Sequence, residues 1–323
     1  MTLVARVRRT IVDRALIPAD SQVVCACSGG PDSAALLACL ARLAPELHFG
    51  LIAASVDHGL RPEAAEDVQV AEAQAKRVGV TFHALRIRVA AGPSLQARAR
   101  EQRYAALSEL AHALGASRIA VGHTQDDQAE TVVARLLRGA GINGLGAIRP
   151  LRADGVVRPL IDCRRTDAHL FARACFDSVA SDRSNLDQRF GRVRIRSHVV
   201  PSLEAEDPAL IRHLAQLADD ARDHMQLVDQ LAEQLLEQAV LDTETLEFSA
   251  IAAQPATLRK AVLRRFVERA AGVSVGRAEL TQLDRITLRG RGEVWLTAGY
   301  SVLAAGVGRL RLQERSRESG QDS

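Results

Sequence analysis

The 323-residue chain is long enough for two domains, because a single hydrophobic core seldom grows beyond about 250–300 residues. Its composition, 47% hydrophobic and 25% charged, is that of a soluble globular protein and excludes a disordered or fibrous chain. The five cysteines form no Cys-x-x-Cys pair, which argues against a zinc ribbon, and the formal charge of +3 does not by itself indicate a nucleic-acid partner.

Apolar runs and helical stretches alternate along the N-terminal part of the chain. The predicted strands are residues 22–27, 49–56, 80–89 and 117–121, and the predicted helices are 32–43, 62–78, 94–114 and 126–137. Elements of these lengths predict right-handed βαβ crossovers and a parallel, Rossmann-like α/β sheet that is covered on both faces. Ligands of such sheets bind beyond the carboxyl ends of the strands, so residues at those ends are the first candidates for a site.

The pattern changes after Gly139. A glycine-rich stretch leads to a predicted helix at 166–177, an arginine-rich segment, a long helix at 208–240, two helices at 256–271 and 277–288, and a pair of strands between 292 and 312. We therefore predict an N-terminal α/β domain at 1–200, a helical linker at 201–242, a small α/β C-terminal domain at 243–313 and a disordered polar tail at 314–323.

The first predicted strand runs into Ser28-Gly29-Gly30-Pro31-Asp32-Ser33 and then into a helix. Two glycines let backbone amides turn toward an anion, and the helix N-terminus adds free N–H groups. A Walker A loop would carry Lys-Ser/Thr where Asp32 stands. Since a carboxylate beside phosphate oxygens needs an intervening cation, we predict that Asp32 holds Mg²⁺ against ATP. The alternative is a plain strand-to-helix turn in which Asp32 is a favourable N-terminal charge.

Acidic and histidine side chains follow two further predicted strands. Asp57-His58-Gly59 ends the second strand, where His58 either contacts a ligand or serves the structure. Asp126, Asp127 and Glu130 crowd one end of a predicted helix, which is unfavourable unless a cation neutralises them. Both a metal ion and a substrate ammonium group satisfy that need. A solvated helix N-terminus that carries favourable acidic residues is the alternative.

Arginines form two groups. Gln96, Arg100 and Arg103 share one face of a predicted helix, and a solvated face is the alternative interpretation of that spacing. Residues 182–198 contain five arginines against two acids; they are Arg183, Arg189, Arg192, Arg194 and Arg196. A basic patch of this kind supplies salt-dependent affinity for nucleic acid without sequence choice.

These stretches carry a resemblance to a known family. The segment 23–37 resembles the pyrophosphate (PP) loop of the ATP pyrophosphatase superfamily, whose fold is adenine nucleotide alpha hydrolase-like. Residues 56–61 and 122–131, and Arg138-Gly139-Ala140-Gly141 with Gly144-Leu145, resemble motifs of the tRNA(Ile)-lysidine synthetase family. Residues 184–187 and 192–196 resemble the linker motif of that family, and the resemblance is weaker in the C-terminal domain.

The resemblance implies a ligase that forms a carbon–nitrogen bond. ATP with Mg²⁺ adenylates the 2-carbonyl oxygen of the wobble cytidine of an isoleucine tRNA, and the ε-amine of free L-lysine then displaces AMP. It implies ATP binding by residues 28–33, Asp57, His58 and His123, lysine binding by Asp127 and Glu130, and catalytic roles for Asp32, Asp127, Arg100 and Arg103. We assign tRNA binding to Arg189, Arg192, Arg194 and Arg196 and to the C-terminal domain, and metal binding to Asp32.

Two other functions use the same fold. A tRNA-thiolating enzyme needs catalytic cysteines or an iron–sulfur site, whereas Cys25, Cys27 and Cys39 fall in a buried strand and the following helix. A non-catalytic nucleotide-binding module needs neither the acidic cluster nor the basic segment. No apolar run approaches the roughly 20 residues of a membrane helix, so we expect no membrane partner and a cytosolic protein. A homodimer is compatible with the sequence.

Overall fold

The computed structural model describes residues 1–57, 59, 64–88, 95–180, 191–296, 299–304 and 308–314, the side chains of 64, 96, 191 and 192 excepted. The chain divides into two compact units, Met1–Ala221 and Arg222–Ser323. Each unit has its own sheet and hydrophobic core. None of the helices in the described ranges has both the length and the apolar character that crossing a membrane requires.

A five-stranded parallel sheet organises the first unit, in the order β3-β2-β1-β4-β5. The strands are β1 (Gln22–Ala26), β2 (Gly50–Asp57), β3 (Thr81–Arg86), β4 (Arg118–Ala120) and β5 (Val156–Val157). Val24 of β1 pairs with Ile52 on one side and Ile119 on the other. Because β1 is central, the loop that follows it opens at the middle of the carboxyl edge of the sheet.

Ten helices of the described ranges lie wholly or partly in this unit. They are α1 (Leu3–Asp13), α2 (Pro31–Leu43), α3 (Ala64–Arg77), α4 (Leu95–Ala113), α5 (Gln125–Leu136), α6 (Ile142–Leu145), α7 (Arg165–Cys175), α8 (Gly191–Arg194), α9 (Val200–Glu206) and the first part of α10 (Leu210–Ala239), with a π-helical turn at Ile195–Val199. Pro31 is the first residue of α2. A residue at this position makes no N–H hydrogen bond within the helix, so proline loses none there.

Alternate residues of β1 enter two different cores. Val23 and Cys25 belong to the cluster that contains α1, α2 and α7, whereas Val24 packs with Leu107 of α4 on the opposite face. Side chains of a strand point alternately to its two faces, so a strand that is apolar at every position must be covered on both sides. The structure thus confirms the predicted α/β fold class.

Two elements of the first unit were not predicted. Helix α1 begins at the N-cap Thr2 and buries Leu3, Val7 and Ile11, which are spaced at four residues on one helical face. Strand β5 has only two residues, and its identity as a strand depends on its pairing with β4.

The second unit contains an antiparallel four-stranded sheet, in the order β6-β9-β8-β7. Its strands are β6 (Thr245–Glu247), β7 (Glu293–Trp295), β8 (Tyr300–Ala304) and β9 (Arg309–Glu314), and its helices are α11 (Ala256–Ala271), α12 (Arg277–Arg289) and the last part of α10. Where the sequence predicted a pair of strands, the structure has three, β7, β8 and β9, and β6 pairs with β9 at the edge of the sheet. Glu314, the first residue of the predicted tail, ends β9, and residues 315–323 lie outside the described ranges.

Candidate active site

The loop after β1 is a tight turn that its own serines stabilise. The Ser28 N–H donates to Ser33 Oγ over 3.1 Å, and Ser33 Oγ donates to the Gly30 carbonyl over 2.9 Å. Gly29 adopts a φ of +74°, and a Cβ at this position would lie 2.7 Å from the carbonyl oxygen of Asp67. Only glycine therefore fits, and the turn leads directly into the N-terminus of α2, where backbone amides can bind an anion.

Neighbouring elements hold this loop from behind. Gln74 of α3 is 2% exposed, and its Nε2 donates to the Gly29 carbonyl over 3.0 Å and to the Ser178 carbonyl over 3.1 Å. The Ala180 N–H donates to the same Gly29 carbonyl over 2.9 Å. On the other side, a Cβ on Gly122 would lie 3.0 Å from the Asp32 carbonyl group. The loop is thus fixed before any ligand binds, which lowers the entropy cost of binding.

Asp32 lies in the first turn of α2 with its side chain 32% exposed, and its Oδ1 is 3.1 Å from Nε2 of His169 on α7. A partly exposed carboxylate beside a turn whose backbone amides can bind an anion fits Mg²⁺, which usually binds one or two carboxylates together with substrate phosphates and water. Within the described residues, no group of three or more His, Cys, Asp or Glu side chains could hold a metal by itself. The one carboxylate of Asp32 fits a metal that a phosphate ligand and water would also bind.

The other predicted nucleotide-binding residues flank the loop. Asp57 ends β2, and its Oδ1 accepts a 2.8 Å hydrogen bond from the Gly59 N–H. His123 follows β4, and its Nδ1 is 3.3 Å from Nε of Arg158. We call the loop at residues 28–33 the phosphate loop. Since β2 and β4 lie on opposite sides of β1, Asp57 and His123 lie on opposite sides of this loop. His58 lies outside the described residues.

Asp127 and Glu130 are buried on α5, with relative exposures of 6% and 2%. The Thr124 N–H and hydroxyl each donate to Asp127 Oδ2 over 2.9 Å, so Asp127 forms part of a capping box that begins the helix. Burial of two carboxylates this close together requires positive partners.

Two arginines supply those partners. Arg165 of α7 donates to Glu130 Oε1 over 2.8 Å and to Asp127 Oδ1 over 3.0 Å. Arg196 of the π-helical turn donates to Glu130 Oε1 over 2.8 Å and to Asp127 Oδ1 over 3.0 Å. Burial opposes the charge of Arg165, but Asp127 and Glu130 hold its pKa above the ordinary value. The expected neutralising cation was a metal or a substrate; guanidinium groups from the chain already fill that role.

Asp126 has a structural task next to this pair. Its Oδ2 accepts a 2.7 Å hydrogen bond from the Arg165 N–H at the start of α7, and both of its oxygens lie 3.3 Å from the Arg164 guanidinium. Arg164 also donates to Glu204 over 2.7 Å. Asp126 therefore fixes the N-terminus of α7, the helix that carries both Arg165 and His169.

Arg100 and Arg103 of α4 lie against Tyr104. Their guanidinium carbons are 5.2 and 5.6 Å from the Tyr104 ring centroid, and that of Arg152 is 5.0 Å from it. A cavity of about 360 Å³ opens at this point, which we call the arginine cavity. Its polar lining residues are Arg100, His123, Thr131, Arg149, Arg152 and Arg158.

The predicted tRNA-binding arginines have different environments. Arg194 ends α8 and is exposed, whereas Arg196 contacts the buried acidic pair. Arg192 lies in α8 and its side chain is outside the description, as is the whole of Arg189. The assignment of these arginines to tRNA stays a prediction.

Comparison with known proteins identifies the family. A family model for the PP-loop domain matches residues 2–203. Proteins named tRNA(Ile)-lysidine synthase are similar along most of their length: that of Symbiobacterium thermophilum is 33% identical over 99% of this chain and 71% of its own, and that of Thermobifida fusca is 36% identical over 88% and 90%. The chain belongs to the tRNA(Ile)-lysidine synthase family. This membership confirms the resemblance that the sequence motifs carry.

A solved structure agrees with this fold. The U34-tRNA thiolase NcsA of Methanococcus maripaludis superposes with a TM-score of 0.57 over 69% of this chain and 79% of its own, at 17% identity. At that identity the likeness shows a common fold and no more. The lysidine synthase relatives, at higher identity over most of the chain, support the lysidine assignment over the thiolating alternative.

Sequence analysis did not identify four residues whose side chains contact the candidate site. They are Gln74, Arg158, Arg165 and His169. One signal was present: Arg164 and Arg165 immediately precede the predicted helix at 166–177, where positive charge opposes the helix dipole and therefore requires acidic partners.

Proposed function

We propose that the chain ligates L-lysine to C2 of the wobble cytidine in an isoleucine tRNA, with cleavage of ATP to AMP and pyrophosphate. One observation carries this proposal: α7 contacts the phosphate loop through His169 and Asp32, and contacts the buried Asp127–Glu130 pair through Arg165. The proposed triphosphate site and the proposed lysine site would thus share one positioning helix. We infer the tRNA substrate from family membership.

The first step transfers adenylate. The 2-carbonyl oxygen of cytidine attacks the α-phosphorus of ATP, and pyrophosphate leaves. Residues 28–33 would hold the phosphates through backbone amides and hydroxyls, with Asp57 and His123 on either side. Mg²⁺ bound at Asp32 would offset the negative charge of the phosphate oxygens. Arg100 and Arg103, which line or adjoin the arginine cavity, would stabilise charge that develops during transfer.

The second step releases AMP. The ε-amine of lysine attacks C2 of the adenylated cytidine, forms the carbon–nitrogen bond and expels AMP. Asp127 and Glu130 would bind lysine by exchange, in which its ε-ammonium replaces one of the two guanidinium groups, Arg165 or Arg196, that neutralise the pair. The attacking amine must lose a proton, and Asp32 and Asp127 are the two candidate acceptors.

Recognition of the tRNA would involve residues beyond the catalytic pocket. Arg194 is exposed on α8 and can contact phosphate, and we assign reading of the tRNA body to the second unit. All described residues of the proposed catalytic site lie in the first unit.

The thiolating alternative needs reactive cysteines. Cys25, Cys27, Cys39 and Cys163 are buried. Hydrogen bonding from Cys27 and burial raise the pKa of the Cys25 thiol, and burial raises the pKa of Cys39, so both thiols stay protonated and unreactive at neutral pH.

Labelled lysine provides the direct test. The protein is incubated with ATP, Mg²⁺, radiolabelled L-lysine and an isoleucine tRNA transcript that has cytidine at the wobble position. We expect label to enter the RNA, and a transcript with uridine at that position to stay unlabelled. Absence of label on the cytidine transcript, with a folded protein, would remove the proposed function.

A further inference from the structure

The arginine cavity concentrates positive charge that the mechanism above does not fully use. Arg149 and Arg152, from the segment before β5, and Arg158, immediately after β5, line it with Arg100 of α4. Across the described ranges, the one carboxylate that forms an ion pair with any of these four is Asp154, which lies 2.7 Å from Arg152. The cavity therefore carries more positive than negative charge.

The cluster is also partly withdrawn from water. Arg158 is 4% exposed, donates to the Arg149 carbonyl and contacts His123. Burial lowers the pKa of Arg158, and the like charges of Arg152 and Arg100 act in the same direction. Guanidinium groups brought together in this way are stabilised by an anion that several of them can share.

The cavity has a defined place relative to the proposed reaction. His123 lines it and directly follows Gly122, where an added Cβ would lie 3.0 Å from the Asp32 carbonyl group, so one wall adjoins the phosphate loop. Thr131 lines it and directly follows Glu130, so another wall adjoins the acidic pair. It lies on the β4–β5 side of the loop, whereas Asp57 lies on the β2 side.

We propose that the arginine cavity binds a backbone phosphate of the RNA next to the nucleotide that is modified. This inference rests on the proposed function and names the RNA contact of the same site. The phosphates of ATP already have donors in residues 28–33, on the loop itself. A second phosphate subsite, whose lining includes His123 and Thr131, would hold the RNA next to both the loop and the acidic pair.

A charge-neutralising pair of variants tests the subsite. Arg149→Gln with Arg152→Gln removes two guanidinium groups that are exposed or half-buried, so the fold should survive. We expect the Kd for the tRNA transcript to rise about tenfold or more, because contacts to charged groups are strong. The slope of log Kd against log salt concentration should fall by about one, as expected when one phosphate contact is lost. Arg173→Gln, an exposed arginine of α7, is the matched control.

An uncharged analogue of the phosphate linkage can show which RNA phosphate contacts the arginine cavity. A methylphosphonate linkage on either side of the wobble cytidine should weaken binding to the unaltered protein and have little further effect on the double variant. Direct ATP binding, measured without RNA, should be unchanged. Wild-type RNA affinity and salt slope in the double variant would overturn the subsite, and weakened ATP binding with unchanged RNA binding would assign the cavity to the nucleotide. These binding measurements use no lysine, so they are separate from a failure of lysine attachment.

Discussion

Arg165 Nη1 lies 2.8 Å from Glu130 Oε1, and this buried ion pair joins α7 to α5. The same guanidinium contacts Asp127, while His169, four residues further along α7, contacts Asp32. Helix α7 therefore sets the distance between the phosphate loop and the acidic pair. We infer that α7 holds the phosphate loop and the acidic pair together as parts of one proposed site.

Arg165→Met should destabilise the protein strongly. Removal of one partner from a buried ion pair typically costs about 3–5 kcal/mol, because the remaining charge is left uncompensated. Since Arg196 still contacts the same carboxylates, we expect about 3 kcal/mol in the free energy of unfolding, measured with urea. Arg173→Met, on the exposed face of the same helix, should cost less than about 0.5 kcal/mol. Equal stability of the two variants would contradict the role of Arg165.

Gly29→Ala should disable the phosphate loop. Its Cβ would meet the Asp67 carbonyl oxygen at 2.7 Å, so the turn must shift, and we expect ATP affinity to fall at least about tenfold, or roughly 1.4 kcal/mol. Gly79→Ala is the control, since Gly79 has a φ of +72° and nothing within 4 Å of a Cβ. That variant should lose about 1 kcal/mol of stability and bind ATP normally by calorimetry. Equal ATP affinity in both variants would show that the close contact is unimportant.

Asp32→Asn should abolish the magnesium dependence of ATP binding. The carboxylate repels phosphate oxygens without a cation and attracts them through one, so the unaltered protein should bind ATP about tenfold to a hundredfold better with Mg²⁺ than with EDTA. The amide variant should bind ATP with similar affinity in both conditions and keep its unfolding temperature. A variant that retains the full magnesium effect would remove Asp32 as the metal ligand.

Cysteine substitutions should separate ligation from thiolation. Cys25→Ala should lower stability by about 1–2 kcal/mol through lost packing, yet the folded fraction should still attach lysine to tRNA. Burial raises the pKa of Cys163 to about 12, so this thiol should stay protonated, and should resist alkylation in the native protein, at pH 8. Loss of lysine attachment in well-folded Cys25→Ala would contradict a purely structural role for this buried thiol.

Local patterns predicted much of this molecule. The bounds of α11 coincide with the predicted 256–271, and the loop at 28–33 lies between β1 and α2 as expected. These features depend on neighbouring residues only. The partners of Asp127 and Glu130 did not follow from the sequence, because Arg165 and Arg196 are 35 and 66 residues from Glu130 and meet it only after folding. Strand β5 is equally non-local, since two valines become a strand by pairing with β4.

In the proposed reaction, the RNA accepts adenylate before lysine attacks. The most direct measurement uses ATP labelled at the α-phosphate, the cytidine transcript and the unaltered protein, with acid quenching at short times. Without lysine, we expect label on the RNA; added lysine should release that label as AMP while lysine joins the RNA. Release of AMP at the same rate without RNA, with no label ever found on the transcript, would contradict it.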